Sequence, residues 1–378
     1  MKRKIVFLTG TRADYGKIKS ILKLLNNSKK FEVYIYVTGM HMLDYYGNTY
    51  REILKDGFKN VYLSDGIELD AQTEENLATI IKDFSQYIKK YKPDLIVVHG
   101  DRIEPLAGAI VGAFNNVRVA HLEGGEKSGT IDEHLRHAIS KLSQYHFVTD
   151  QESKDRLIQM GENDKRIYII GSPDIDIMLG NDLPNLEYVK KYYNIPFDKF
   201  SILMYHPVTT EIINLKQNVK NIVDVLLSNN HNYIVIYPNN DLGSNIIHEE
   251  YERLKNNNRF VFYSSLNFER FLTLFKECNY LIGNSSAGIN ETIVYGIPTI
   301  NIGSRQRGRY NSLNNKNLIS VENDIEEIKE AIFNIEKYRT TPFKRLPQNS
   351  CNKFINIISD ENFWEFDIQK RFIDKIML

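Results

Sequence analysis

Between Val97 and His137 the chain reads VVHGDR, then a gap of helix length, then VAHLEGGEKSGTIDEHLRH. Asp101, Glu123, Glu126, Asp132 and Glu133 share this stretch with His99, His121, His134 and His137, most of them at the ends of apolar runs. In an open α/β sheet the ligand lies beyond the carboxyl ends of the strands, and Asp101 and Glu123 each directly follow a run of strand type. Asp101, Glu123, Asp132 and Glu133 around one cleft would repel one another if all were ionised, so at least one should hold a proton at neutral pH. Such carboxyls suit proton abstraction and protonation of a leaving group. A metal is the second chemistry open to these residues, since His99-x-Asp101 and His121-x-Glu123 offer two imidazoles and two carboxylates. Both motifs straddle strand ends, where residues two apart no longer share a face, and this favours acid/base work with no metal.

A second set of residues suits phosphate. The turn Thr9-Gly10-Thr11-Arg12-Ala13-Asp14-Tyr15-Gly16-Lys17 combines a glycine, a helix start and two cations, Arg12 and Lys17. Backbone donors and the helix dipole can hold an anion there, although the spacing is neither GxGxxG nor GxxxxGK[ST]. His206 ends the run SILMYHP, and Asn239, Asn240 and Asp241 end the next run as YPNND. They could meet hydroxyl groups or simply close turns. Gly283-Asn284-Ser285-Ser286-Ala287-Gly288 offers hydroxyls and N–H groups to a pyrophosphate, and Glu291 follows on the next helix, able to accept from both hydroxyls of a ribose. Arg305, Arg307 and Arg309 in GSRQRGR come after the last strand of this set, and guanidinium suits bidentate phosphate contact. Capping serines, a structural histidine and a solvated basic loop are the plainer roles of the same residues.

Elements must place these groups. Apolar runs of strand length alternate with helix-period segments, as in βαβ units around a parallel sheet. In the first half the strands are IVFLT, VYIYVTG, 60–63, DLIVVHG, VRVAHLEGG, YHFVTD and RIYIIGSP, with helices expected from about Tyr15, over Met42–Lys55, Asp70–Tyr91, Glu104–Asn115 and Ile131–Ser143. SILMYHP, NYIVIYPNN, RFVFYSS, YLIGNSS and PTINIGS repeat the logic, followed by a helix over Ile325–Tyr338 and a terminal amphipathic segment over Asn362–Ile376. The 378 residues fit two domains, with a linker at Asn181–Pro184. Two doubly wound domains in tandem would set their strand ends face to face, with the ligand in the cleft between them. Lys plus Arg and Asp plus Glu number 48 each, so no general charge draws nucleic acid or an acidic membrane surface. Only Cys278 and Cys351 occur, which fits a reducing compartment rather than a disulfide framework. No apolar run approaches the roughly eighteen residues of a membrane span, and the five-residue run near the N-terminus suits a buried strand better than a signal peptide. A cytoplasmic protein is expected.

Taken together, TGTRADYGK, VVHGDRIEPLAGA, HLEGGEKSGTIDEHLRHAISKL, YHPVTTE, YPNNDLGS, GNSSAGINE and GSRQRGR, in order from residue 9 to about 309, resemble the hydrolysing UDP-N-acetylglucosamine 2-epimerases of sialic acid biosynthesis. The non-hydrolysing epimerases of cell-surface polysaccharide synthesis are similar at a greater distance. That branch usually reads Arg-Pro-Glu at the first turn and His-Arg-Arg-Glu-Asn after the middle strand. Here Arg12-Ala13-Asp14 and His206-Pro207-Val208-Thr209-Thr210 stand instead. The animal members' kinase domain has no counterpart before Leu378, so a stand-alone bacterial-type enzyme serving capsule or lipooligosaccharide synthesis is expected.

The resemblance implies a GT-B-like α/β architecture of two Rossmann-like doubly wound domains with the active site in the interdomain cleft. Residues 1–180 would carry the catalytic carboxylates, 181–358 would bind UDP, and 359–378 would be a helix packing back on the first domain. It implies removal of the C2 proton with loss of UDP to give 2-acetamidoglucal, then hydration to N-acetylmannosamine, with no cofactor. Asp101, Glu123 and Asp132 would be the acid/base carboxylates, with Glu133 as a partner and His206 beside them. The division of labour among the carboxylates stays open. Arg12, Lys17, Arg102, His206, Asn239, Ser285, Ser286, Glu291 and Arg305 would contact the UDP-sugar. The partner implied is a small nucleotide sugar, and the assembly implied is a homodimer. The same chemistry on a UDP-2,4-diacetamido-2,4,6-trideoxy sugar of the legionaminic acid pathway fits these motifs equally. A GT-B glycosyltransferase and a UDP-sugar sensor are the readings from other classes, and the carboxylate cluster speaks against the transferase.

Overall fold

The computed structural model describes residues 2–64, 67–68, 71–289, 291–310, 315–342 and 348–374. The chain divides into an N-terminal unit, Met1–Asp176 with Pro347–Leu378, and a C-terminal unit, Ile177–Leu346. The first holds strands β1 (Arg3–Thr9), β2 (Phe31–Val37), β3 (Val61–Leu63), β4 (Leu95–His99), β5 (Arg118–Leu122), β6 (Tyr145–Val148) and β7 (Ile167–Ile169), in the spatial order 3-2-1-4-5-6-7. The second holds β8 (Ser201–Met204), β9 (Tyr233–Ile236), β10 (Phe260–Tyr263), β11 (Leu281–Gly283), β12 (Thr299–Ile302) and β13 (Leu318–Val321), in the order 10-9-8-11-12-13. Neighbouring strands are parallel throughout. Each unit is a Rossmann-like doubly wound α/β domain. Ile5, Val6, Phe7, Ile96 and Val98 have no exposed surface, because helices cover both faces of a parallel sheet and its strands must be apolar on both sides.

Strand order reverses between β1 and β4 in one sheet and between β8 and β11 in the other. At such a switch point the chain leaves the two central strands in opposite directions and opens a crevice at their carboxyl ends. Gly283 closes the second point tightly, because a Cβ there would lie 1.9 Å from the Met204 carbonyl oxygen, at a φ of +137° that side chains disfavour.

Several elements differ from expectation. The first helix begins at Arg12 rather than near Tyr15, since Thr11 and Asp14 form a capping box. The segment expected as one helix over Met42–Lys55 is two short 3₁₀ turns and a helix at Tyr50–Lys55, interrupted by left-handed backbone at Gly47 and Asn48. A helix at Gln151–Gln159 and the edge strand β13 are additional. GSRQRGR therefore precedes a further strand and does not follow the last one. The expected helix start at Asp70 and the expected end at Ile376 lie outside the described residues.

The return to the N-terminal unit also comes earlier than residue 359. Helix Ser350–Ser359 buries Phe354 and Ile358 in the core formed around β1, and Ser350 donates its N–H to Asp176 at 2.6 Å. A short helix, Glu361–Glu365, follows with Phe363 and Trp364 buried. The terminal segment is not one helix, because 366–374 carries no helix. Its backbone instead brings Lys370 to the end of helix Ile131–Leu142, where the ammonium donates to the carbonyls of Ser140, Lys141 and Ser143 at 2.8, 2.9 and 2.7 Å and pairs with Glu162 at 2.6 Å. A cation there satisfies carbonyls that the helix leaves without partners.

Burial works against ionisation of Glu162, but His146, Lys370 and Lys141 outweigh it and hold the carboxyl down to about 2. A folded value below the unfolded one adds stability that is fully present above the ordinary carboxylate range and is lost as pH falls through about 2. Glu162→Gln should therefore unfold at lower urea than the wild type at pH 7, with the difference shrinking steadily under acid. Equal midpoints at pH 7 would show that the carboxylate adds nothing.

Candidate active site

The carboxyl end of β4, at the switch point, delivers Asp101, and that of the neighbouring β5 delivers Glu123. Between them lies a guanidinium that the sequence reading passed over. Arg136, in the second turn of helix Ile131–Leu142 and only 3% exposed, donates through Nη2 to Asp101 at 2.5 Å, through Nε to Ser128 Oγ at 2.7 Å and through Nη1 to the Glu123 carbonyl at 2.5 Å. Ser128 Oγ in turn donates to Asp101 at 2.5 Å. The fork geometry of guanidinium lets one side chain tie three segments together. Its signal in the sequence is spacing: Arg136 stands four residues after Asp132 and three after Glu133, hence on their face of the helix.

Glu123 has a φ of +62°, a left-handed backbone that a side-chain-bearing residue adopts at a cost. Its carboxylate lies 3.2 Å from His99 Nε2 and 3.7 Å from Lys17 Nζ, and Lys17 pairs more closely with Asp174 at 2.6 Å. Asp174, held by Ser172 Oγ at 2.8 Å, is a further residue the motifs did not reveal. Burial opposes charge on Glu123, but Lys17 and His99 overcome it and hold the carboxyl well below its usual range. Burial likewise opposes charge on His99, and Glu123 reverses that and raises it. Glu123 is thus held ionised between Lys17 and His99.

A raised carboxyl is found outside the four expected residues. Burial, and then the charge of Glu123, push Glu126 up to about 7. Glu133, expected as a partner in the cluster, accepts from the Ser128 N–H at 2.5 Å and pairs with His137 at 2.9 Å. Burial raises it, but these contacts lower it on balance. Asp132 is half-buried in the first turn of the same helix. The histidines divide: His121 is fully buried between the Gly100 carbonyl at 2.8 Å and Ser140 Oγ at 3.0 Å, while His134 is exposed. Among the described residues no three His, Cys, Asp or Glu side chains are grouped to hold a metal ion.

Around the β1 turn, Arg12 pairs with Glu52 at 2.7 Å, and Arg102 lies 3.7 Å from Glu104. Glu104 is buried beneath Gly10 and Gly39; a Cβ on either would come within 2.5 Å of its carboxyl group. Those glycines make room for the carboxylate that sits beside Arg102.

In the C-terminal unit, buried Asn284 stitches the switch point together, accepting from the His206 N–H at 2.7 Å and donating to the His206 carbonyl at 2.8 Å. Arg305 Nη1 and Gln306 Nε2 donate to the Asn284 carbonyl at 3.2 and 2.7 Å. His206 Nδ1 accepts a long bond, 3.5 Å, from the Asn239 N–H. Ser285 caps the 3₁₀ turn Ser286–Gly288, and Glu291, 8% exposed, opens helix Glu291–Tyr295. His206, Asn239, Ser285 and Arg305 thus follow β8, β9, β11 and β12, with Asn284, which the sequence reading quoted in its loop without a role of its own, joining His206 and Arg305.

Removing one partner of a buried ion pair costs about 3–5 kcal/mol because the other charge is stranded. Arg136→Met should lower stability by that order in urea unfolding, and Asp101→Asn combined with it should cost less than the two single losses added. Strict additivity would show that the two side chains are not coupled.

The family profile described as UDP-N-acetylglucosamine 2-epimerase matches residues 23–359. Over 377 residues, 98% of this chain and 99% of the relative, the sequence is 40% identical to the UDP-N-acetylglucosamine 2-epimerase of Neisseria meningitidis serogroup B. It is 36% identical over 318 residues, 83% and 84% of the two chains, to the hydrolysing UDP-N,N'-diacetylbacillosamine 2-epimerase of Legionella pneumophila. The fold is similar to that of Methanocaldococcus jannaschii UDP-GlcNAc 2-epimerase in complex with UDP-GlcNAc and UDP, with a TM-score of 0.78 at 21% identity over 94% of this chain and 99% of that one. With a profile match over most of its length and this degree of identity, the chain belongs to the UDP-N-acetylglucosamine 2-epimerase family.

Proposed function

We propose that this chain is a hydrolysing UDP-N-acetylglucosamine 2-epimerase that converts UDP-N-acetylglucosamine and water to N-acetylmannosamine and UDP, the opening step of sialic acid synthesis. The observation that carries this reading is the pair of carboxylates at the ends of β4 and β5, Asp101 on Arg136 and Glu123 on Lys17 and His99. An ionised carboxylate takes the C2 proton, the C1–O bond breaks, and its electron pair leaves on the β-phosphate of UDP. Water then adds across the double bond of 2-acetamidoglucal, its oxygen to C1, while a proton returns to C2. Positioned acids and bases are the groups this chemistry needs. Arg12, Lys17 and Arg102 contact the UDP-sugar. His206, Asn239, Ser285, Ser286, Glu291 and Arg305 also contact the UDP-sugar, and Asp132 joins Asp101 and Glu123 as an acid/base carboxylate, with Glu133 as a partner and His206 beside them. No helix among the described residues is long and apolar enough to cross a membrane, and the sequence resemblance supports a cytoplasmic homodimer.

The likeness to the Legionella enzyme supports a second reading, the same two steps on a UDP-2,4-diacetamido-2,4,6-trideoxy sugar. Incubation with each nucleotide sugar in heavy water separates the readings. Free N-acetylmannosamine with deuterium at C2, plus UDP, is the expected result. UDP-N-acetylmannosamine alone would make the enzyme non-hydrolysing, and a sugar passed to an acceptor without C2 exchange would make it a transferase. Asp101→Asn and Glu123→Gln should each slow turnover by ~10²- to 10⁴-fold, and normal rates in both would remove the assignment.

A further inference from the structure

Arg136 gathers three carboxyl-bearing residues, and their counter-charges are unequal. Asp101 has a direct ion pair at 2.5 Å. Glu123 has Lys17 and His99. The Glu126 carboxyl accepts from Thr149 Oγ at 2.9 Å and stands 3.9 Å from Arg136 Nη1, a nitrogen that already donates to the Glu123 carbonyl. Every arm of that guanidinium is engaged by Asp101, Ser128 or Glu123. The charged groups around Glu126 come from several elements: Glu123 after β5, Arg136 from helix Ile131–Leu142, Lys17 from helix Arg12–Asn26 with Asp174 paired to it, and Arg156 from helix Gln151–Gln159, which donates to the neighbouring Gly125 carbonyl, with the Thr149 hydroxyl after β6. A further anion here would compete for cations that Asp101, Glu123 and Asp174 already use, and a carboxyl escapes that competition by keeping its proton.

We propose that Glu126 is a positioning residue that holds a proton in the resting site: neutral, it leaves Arg136 to Asp101 and Lys17 to Asp174 and Glu123, and ionised, it draws on both. Burial and the neighbouring Glu123 charge place this change at about 7, so the site carries a charge switch that works at neutral pH. As pH rises past that point Glu126 ionises, Arg136 is shared between two carboxylates, and the geometry of Asp101 loosens. The turnover consequence rests on the epimerase reading above; the protonation itself does not.

Two measurements test it. In wild-type protein without ligand, infrared difference spectra across pH about 7 should show a protonated carboxyl C=O band disappearing. The band should be missing from Glu126→Gln, which fixes the neutral form in the same shape, and should disappear at higher pH in Thr149→Val, which removes the hydrogen bond that favours the anion. Turnover of UDP-N-acetylglucosamine should fall on the alkaline side of the same midpoint in the wild type, and Glu126→Gln should lose that fall. An infrared band that persists in Glu126→Gln, or superimposable pH–rate profiles for the two proteins, would overturn the proposal. If the wild type turns over no nucleotide sugar at any pH, the epimerase reading fails, and the infrared comparison decides this inference on its own.

Discussion

The buried guanidinium of Arg136 is the contact on which the N-terminal half of the site depends. Asp101 follows β4, Glu123 follows β5, and Ser128 lies in the loop beyond, and each meets a different nitrogen of one side chain. A point charge such as lysine could neutralise Asp101 but could not fix three acceptors in a plane. Taking a charge this far out of water is costly unless its donors are satisfied, and here each of the three nitrogens has an acceptor at 2.5–2.7 Å. The site is therefore built around a cation that aims the anions.

The same strand order serves both units but is furnished differently. In the N-terminal unit the switch-point turns carry Arg12, Asp101 and Arg102, and the neighbouring strand and its loop add Glu123 and Glu126, two carboxyls whose proton affinities are pushed apart, Glu123 lowered by Lys17 and His99 and Glu126 raised by burial. In the C-terminal unit the corresponding turns carry His206, Asn284, Ser285 and Ser286, mostly neutral donors and acceptors locked by Asn284. Neutral hydrogen-bonding groups hold a ligand without moving protons, whereas displaced carboxyls move them. The division of chemistry follows from what stands at equivalent places on two copies of one topology.

Much of this was legible in the sequence for a physical reason. Buried parallel strands must be apolar, so twelve of the thirteen strands stood out as runs, and the polar residue ending each run marked the catalytic side of the sheet. β13, LISV, is half-buried at the sheet edge and carries a weaker signal. Asp101 and Glu123 were visible because they follow their strands directly. Arg136 was passed over among the acids and histidines around it: its spacing puts it on the face of Asp132 and Glu133, and folding turns it inward while His134 stays exposed. Glu126 and Asp174 were hidden for another reason: their roles depend on which cations are already taken, and that is a property of the assembled cluster. Lys370 acts on a helix more than two hundred residues earlier in the chain, beyond the reach of any local pattern.

That distant contact bears on the site through the helix it caps. Helix Ile131–Leu142 starts after Thr130, whose φ of +58° is unusual for a residue with a side chain, and its N-cap side chain makes no bond. Its first turn nevertheless bears Asp132 and Glu133, acids that the positive end of the helix dipole favours. Glu133 returns to the Ser128 N–H and Arg136 grips Asp101, so the N-terminal turns are held by the site itself. At the other end Lys370 holds three carbonyls and Glu162. A helix fixed at both ends cannot slide or rotate without breaking charge-assisted bonds, and small displacements of acid/base groups are costly to catalysis. The tail and the carboxylate cluster thus act on one helix, with Lys370 on the carbonyls at its end and Asp101 gripped by Arg136 nearer its start.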